Sequence, residues 1–180
     1  EMGRIYWSLA EVLREQADYE NAIENYERSC KIASKFSDIR GLARGYLGLA
    51  NSHVALGNYE VASEYIIRSI NEASKISDSE TIGKADVCLG IMYFITGDKE
   101  KGGYHFDKGI GMLEQVGDQF EVARANYELG LAYKVMNDYV TSRNLLMKSA
   151  IDFEKLKLFH RAEIAKNASI IKKRKIILQL

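Results

Sequence analysis

The sequence predicts an all-α fold, an α-solenoid of stacked antiparallel helix pairs. Three observations carry that reading. The chain of 180 residues contains no Pro, the residue that most strongly breaks a helix interior. Apolar residues recur at i, i+3, i+4 and i+7, the spacing that gathers side chains on one helix face. The pattern also repeats in register at a constant step: Ala22, Ala62, Gly102 and Ser142 occupy one column, and Leu9, Leu49, Leu89 and Leu129 another. A helix pair cannot bury its apolar face alone, so such units must stack.

The columns place four units at about 3–42, 43–82, 83–122 and 123–157, followed by a capping helix and basic tail over 158–180. Nine helices are expected, the last beginning near Phe159. In helix A of each unit the core positions follow Tyr6, Leu9, Ala10 and Leu13; in helix B of the second unit they are Ala62, Ile66, Ser69 and Ala73. Small residues in the Ala10/Ala50/Gly90/Gly130 and Ala22/Ala62/Gly102/Ser142 columns let two helix axes approach closely. A turn column reads Asp18, Asn58, Asp98, Asp138. Ser37-Asp38, Ser77-Asp78 and Gly117-Asp118 read as longer joints whose Asp caps the next helix. Helix B of the third unit carries Gly102, Gly103, Gly109 and Gly111. Each costs about 1 kcal/mol relative to Ala in a helix interior, so this helix is expected to be the softest.

Residues 44–69, "RGYLGLANSHVALGNYEVASEYIIRS", hold the stretch "LGLANSHVALGNYEVASEY". It resembles the tetratricopeptide repeat: Leu then Gly or Ala, a large residue three further on, a Gly-Asn-Tyr turn, then Ala and a large apolar residue. The resemblance covers 3–157. The 40-residue step is similar to the longer variety of that family, found in signalling adaptors and in sensor arrays of microbial regulators. The Pro that often ends the family's unit is absent. The resemblance implies a right-handed superhelix whose concave surface is lined by helix A and binds peptides or helices.

Charge and composition narrow the function classes. Hydrophobic residues make up 47% and charged residues 28%, with 25 Lys+Arg against 25 Asp+Glu. A zero net charge does not suit a generic polyanion binder. No apolar run approaches the roughly 20 residues that span a bilayer, and no signal peptide opens the chain. The two cysteines, Cys30 and Cys88, form no CxxC pattern and read as buried small side chains in a reduced, cytoplasmic protein. His53, His105 and His160 share no metal or catalytic spacing, and His53 stands in a core column. The acidic residues read as helix-surface charges. No enzyme, cofactor or metal site is expected. A chain opening Glu-Met reads as an excised fragment, with further repeats or an effector domain upstream.

The candidate binding residues lie about 130° around helix A from its core, by the angular step of an α-helix. Across the four units they are Arg4 and Trp7; Arg44, Leu47 and Asn51; Lys84, Ile91 and Phe94; Arg124, Tyr127, Leu131 and Lys134. The first column is basic throughout, and aromatics flank an apolar middle. That pattern suits a partner protein or peptide with acidic and apolar side chains. The basic column has a structural alternative, pairing across the joints with Asp38, Asp78 and Asp118. Leu47 and Ile91, with Val54 and Val87, have one too, as packing between repeats. The family's carboxylate clamp needs Lys and Asn where this chain has Trp7 and Glu11, so that specificity is not carried over. Three functions follow as expectations: an interaction scaffold, a sensor or relay segment of a larger microbial regulator, and a self-associating array. The basic run Lys172-Lys173-Arg174-Lys175 reads as the polar face of the cap, with a membrane or nucleic-acid patch as the alternative. Ile176-Ile177-Leu178 would pack back, pair with a second copy or fray.

Overall fold

A computed structural model describes residues 1–170. The basic run at 172–175 and the apolar tail after it lie outside the described residues. Among the described residues there are nine α-helices and no strand: α1 (Met2–Glu15), α2 (Tyr19–Lys35), α3 (Ile39–Ala55), α4 (Tyr59–Lys75), α5 (Ser79–Thr96), α6 (Lys99–Gln115), α7 (Gln119–Val135), α8 (Tyr139–Lys155) and α9 (Phe159–Ser169). The all-α solenoid of helix pairs is therefore the observed fold. Its contacts form two compact units. The first, Glu1–Asp118, holds the pairs α1/α2, α3/α4 and α5/α6; the second starts at Gln119 and holds α7/α8 and α9.

One turn joins every pair of consecutive helices, and it recurs at half the length of the repeat. Residues 17, 37, 57, 77, 97, 117, 137 and 157 all have left-handed backbone, with φ between 52° and 96°. The next residue's N–H then bonds the carbonyl five positions back: Asp18 to Leu13, Asp38 to Ala33, Asn58 to His53, Asp78 to Ala73, and so on to Leu158 and Phe153, all at 2.8–3.0 Å. This is the closure that ends a helix on a left-handed residue and satisfies its orphan carbonyls. The joints expected to be longer, at Ser37, Ser77 and Gly117, have the same closure as the others. The following residue, an Asp except at Asn58 and Leu158, precedes the next helix. Asp38, Asp78, Asp98 and Asp138 each accept from the backbone N–H three residues on, at 2.9–3.1 Å.

Within a pair, the helices meet through small residues. Ala10, Ala50, Ala22 and Ala62 are fully buried. A second contact was not anticipated as a bond. Ser29 Oγ donates to the Gly3 carbonyl at 2.9 Å, Ser69 to Ala43 and Ser149 to Ala123 at 2.8 Å. Three copies of one hydrogen bond, at the same sequence separation each time, thus pin helix B to helix A.

The third pair replaces that Ser with Gly109, and the helices come closer. A Cβ on Gly109 would lie 2.5 Å from the Gly83 carbonyl oxygen and 2.7 Å from Val87 N. One on Gly90 would lie 2.6 Å from Phe106 N, and one on Gly102 would meet the Phe94 ring at 2.9 Å. These glycines are packing residues. Gly103 and Gly111 meet nothing within 4 Å and carry only the propensity cost. The softness expected of α6 from glycine content is therefore opposed by close packing at two of its four glycines.

The core is also more selective than the columns predict. Leu49 and Leu129 are buried, at 1% and 4% exposure, but Leu9 is 46% exposed. Its column places Leu9 in the core, yet no described helix lies on that face of α1.

Two predictions follow from the backbone. Gly109→Ala lowers stability by about 1–3 kcal/mol because backbone must move, whereas Gly111→Ala raises it by about 1 kcal/mol; urea unfolding of both variants measures the contrast. Ser77 has φ 52°, a conformation costly for a residue with a Cβ. Ser77→Gly gains about 0.5–1 kcal/mol, read in the same unfolding experiment.

Candidate functional site

In the first unit, α1, α3 and α5 form a continuous layer, with α3 touching both neighbours. The candidate stripe on that layer divides by environment. Arg4 and Arg44 are exposed and make no ion pair among the described residues. Lys84 is held by Glu80 at 2.6 Å on its own helix. Leu47 and Ile91 are buried, each 7% exposed. Leu47 belongs to a cluster with Ala50, Ile66, Ala85 and Cys88, which joins the second pair to the third. Asn51 is half-buried, and so is Phe94, whose ring lies over Gly102.

Trp7 is half-buried against Ala10, Ala22, Tyr26 and Leu49. Its indole nitrogen is enclosed without a hydrogen-bond partner. Beside it, the Tyr26 hydroxyl donates to Glu11, and Arg14 donates to the other Glu11 oxygen at 3.0 Å. Burial, reinforced by the Glu11 charge, pushes the Tyr26 phenol well above its usual range. Glu11 and Arg14 thus belong to the α1/α2 joint.

In the second unit Arg124 is bound by Glu121 at 2.6 Å and approaches Glu128 at 3.8 Å. Tyr127 is half-buried against Ala123, Phe153 and Ala162, and burial followed by the Glu128 charge raises its phenol pKa. Leu131 is half-buried. Lys134 donates to the Ala168 carbonyl near the end of α9. Arg4 and Arg44 make no ion pair with Asp38 or Asp78 among the described residues. Arg40, not Arg44, reaches Asp78, at 3.5 Å. Lys84 and Arg124 pair with carboxylates three or four positions away on their own helices, while Arg4 and Arg44 stay in solvent.

A polar cluster outside the stripe was missed. Asp86 is 1% exposed on α5, which contradicts the reading of all carboxylates as surface charges. His105 Nδ1 lies 2.9 Å from Oδ1, and Lys108 Nζ lies 2.8 Å from Oδ2 at an angle outside hydrogen bonding. His105 also stacks on Tyr93 at 5.6 Å and meets Tyr104 edge-on. The repeat explains the cluster. Asp86 stands in the column of Tyr46, and His105 in that of Tyr65, which stack at 6.0 Å one pair earlier. Lys108 stands in the column of Arg68, whose guanidinium lies over Tyr65 at 5.4 Å. An Asp86–His105 contact has replaced an aromatic stack under a retained cation. The column position of Asp86 was the available signal.

His53, Cys30 and Cys88 are held in the fold, while His160 is exposed. His53 stacks on Tyr65 at 5.6 Å, and burial lowers its pKa. Cys30 and Cys88 are buried thiols that form no disulfide. Burial, with the Glu27 charge beside it, pushes the Cys30 thiol up to about 12, so it is protonated and poorly nucleophilic at neutral pH. Among the described residues no group of three metal-ligating side chains converges, and no helix is long and apolar enough to cross a membrane.

Residues 1–75 match the sequence model of the tetratricopeptide repeat family, and the same kind of helix pair continues in register through α8. Over residues 1–75 the chain is built of tetratricopeptide repeats. Its fold is similar to a Signal Transduction ATPase with Numerous Domains (STAND) protein with a tetratricopeptide repeat sensor from Pyrococcus horikoshii. The TM-score is 0.59 and the identity 22%, over 93% of this chain and 26% of that one. It is also similar to BtubC from P. vanneervenii, with a TM-score of 0.59 and 17% identity over 96% of this chain and 67% of that one. The chain thus spans about a quarter of the length of the Pyrococcus protein. Among curated proteins none matches it.

Asp86 yields a prediction. Asp86→Ala leaves His105 and Lys108 without their shared carboxylate and costs about 1.5–3 kcal/mol. Because the carboxylate is buried, the loss changes little between low salt, about 0.05 M, and high salt, about 0.5 M. Urea unfolding at the two ionic strengths checks both points.

Proposed function

We propose that this array is an interaction scaffold whose A-helix layer captures an extended or helical segment of another protein, with acidic and apolar side chains. The observation that carries the reading is the division of the basic column. Arg4 and Arg44 remain in solvent beside half-buried Trp7 and Asn51, while Lys84 and Arg124 are engaged within their own helices. Two exposed cations on adjacent A helices steer an acidic segment and fix its direction. An aromatic ring near them supplies apolar contact, the usual anchor of such interfaces. Phe94 extends the same layer on α5. In the second unit Tyr127 and Leu131 offer half-buried apolar surface of the same kind. No cofactor takes part.

A second reading is supported by the resemblance to the Pyrococcus protein, a signal-transduction ATPase whose repeats are its sensor. This chain would then be the sensing segment of a longer regulator, and capture of the partner segment would be its input.

The test is selection from a random peptide library on immobilised array, with wild type and Arg4→Glu/Arg44→Glu compared. Wild type is expected to enrich acidic peptides with apolar residues, and the variant to lose them. Affinity of the enriched peptides falls steeply with salt. The melting temperature is unchanged, since both side chains are exposed. Equal enrichment on both proteins, or none on either, rejects this face as the binding surface. A full-length polypeptide that hydrolyses ATP at a rate altered by an enriched peptide supports the sensor reading.

A further inference from the structure

The zero net charge conceals a division. Residues 1–118 carry 13 Lys+Arg against 19 Asp+Glu, and residues 119–180 carry 12 against 6. The boundary is that of the two compact units, so an acidic unit is joined to a basic one. Such asymmetry points to an anionic partner for the basic unit.

Part of the difference lies on one face of the second helix of each pair. In α2 this face presents Glu20, Glu24 and Glu27, and in α4 Glu60, Glu64 and Ile67, all exposed. They are exposed although α3 packs on α2 and α5 on α4. The face is therefore the solvent side of a pair even where a further pair follows. Its exposure does not depend on where the chain begins or ends.

In α8 the same three columns hold Val140, Asn144 and Met147, and Ile151 follows where α2 has Lys31 and α4 has Asn71. Val140 is 75% exposed, Met147 36% and Ile151 48%. The spacing of four, three and four keeps these residues on one side of the helix, in a stripe about 16 Å long. Arg143 borders the stripe on one side and Lys148 on the other, each about 70° from its centre. Both are exposed and make no ion pair among the described residues. From Val140 to Ile151 the helix contains no Asp or Glu.

The joint that follows departs from the repeat in the same direction. Asp38 and Asp78 cap the helices after them, whereas Leu158 precedes α9 with no side-chain cap. Leu158 and Phe159 are both exposed, next to exposed Lys157. A capping carboxylate, which helps a helix start, has been exchanged for apolar side chains in water beside a cation.

Aliphatic side chains bordered by cations suit an anionic bilayer surface, where apolar groups enter the acyl boundary and Lys and Arg meet lipid phosphates. A nucleic acid would use the cations and leave the aliphatics in water. An acidic helix buries its apolar side chains in a groove, and this surface is the convex side of one helix.

We propose that the outward face of α8 is a docking site for an anionic lipid bilayer. The helix lies in the plane of the surface, with Val140, Met147 and Ile151 inserted among the head groups and Arg143 and Lys148 on their phosphates. The joint at Leu158 and Phe159 extends the contact.

The test attaches the environment-sensitive fluorophore NBD to Ile151→Cys in residues 1–180 and, as a control, to Asn71→Cys, its counterpart on α4. Cys30 and Cys88 are buried and stay unlabelled. Vesicles of equal parts phosphatidylcholine and phosphatidylserine are expected to shift the Ile151 probe to the blue and to leave the Asn71 probe in water. Vesicles of phosphatidylcholine alone shift neither. Arg143→Gln/Lys148→Gln lowers vesicle affinity at least about tenfold with the melting temperature unchanged, and the affinity of the wild type falls with salt. A variant with Lys172, Lys173, Arg174 and Lys175 all changed to Gln retains the Ile151 shift. Absence of vesicle binding overturns the proposal. So does binding with an unshifted Ile151 probe, or a shift lost in the tail variant, because the basic tail is then the attachment. A shift without vesicles also overturns it: one that grows with protein concentration makes the occupant a second copy, and one produced by acidic peptides makes it a protein. No arm changes Arg4 or Arg44, so the peptide-binding reading stands or falls separately.

Discussion

The bond from each post-turn N–H to the carbonyl five residues back governs this fold. It closes each helix on a left-handed residue and reverses the chain within a fixed three-residue joint, or two after α5. Because every joint is nearly the same, the two helices of each pair meet in a similar register. A column of equivalent residues can therefore do one job throughout the array. At Asp38, Asp78, Asp98 and Asp138 the residue after the left-handed one also caps the next helix, so one short segment both ends and begins a helix.

On that frame the pairs solve one packing problem in two ways. Where Ser29, Ser69 and Ser149 stand, a side-chain hydroxyl reaches the facing helix carbonyl and spaces the helices by one hydrogen bond. Where Gly109 stands, there is no hydroxyl and no room for a Cβ, and backbone meets backbone. The same pair trades a Tyr–Tyr stack for the buried Asp86–His105 contact beneath Lys108. A buried carboxylate is tolerable only with such partners, because losing water from an unpaired charge is expensive. The third pair thus combines close helix approach with a polar interior contact.

The proposed function rests on which columns the fold leaves unused. Core columns are occupied by neighbours, and two members of the basic column are occupied by Glu80 and Glu121. Arg4 and Arg44 are left in solvent, on the same layer as the only tryptophan. The apolar stripe of α1, Met2, Ile5, Leu9 and Val12, is left as well, but it differs in kind. Its columns are the ones that α3 and α5 pack against the second helix of the preceding pair.

Much of this was legible in sequence, because a repeat shows the same physical demand several times. The repeat columns reveal the pairs, the small contact residues and the last helix beginning at Phe159. The shorter period of the turns was hidden. Ala17, Ser37, Gly57 and Lys157 share a backbone conformation but no side-chain chemistry. The engagement of Lys84 and Arg124 was readable from the Glu four or three positions before each. The solvent exposure of Leu9 was not, since a residue's burial depends on which neighbour is present, and its own column says core. Of the Asp86 cluster only the column of Asp86 was readable, since its partners His105 and Lys108 come from a second helix. Local spacing and column identity are properties of one helix, and the sequence by itself determined those. Which face is covered, how near two backbones come and which charges meet across helices depend on pairs of helices, and only the tertiary structure decided them.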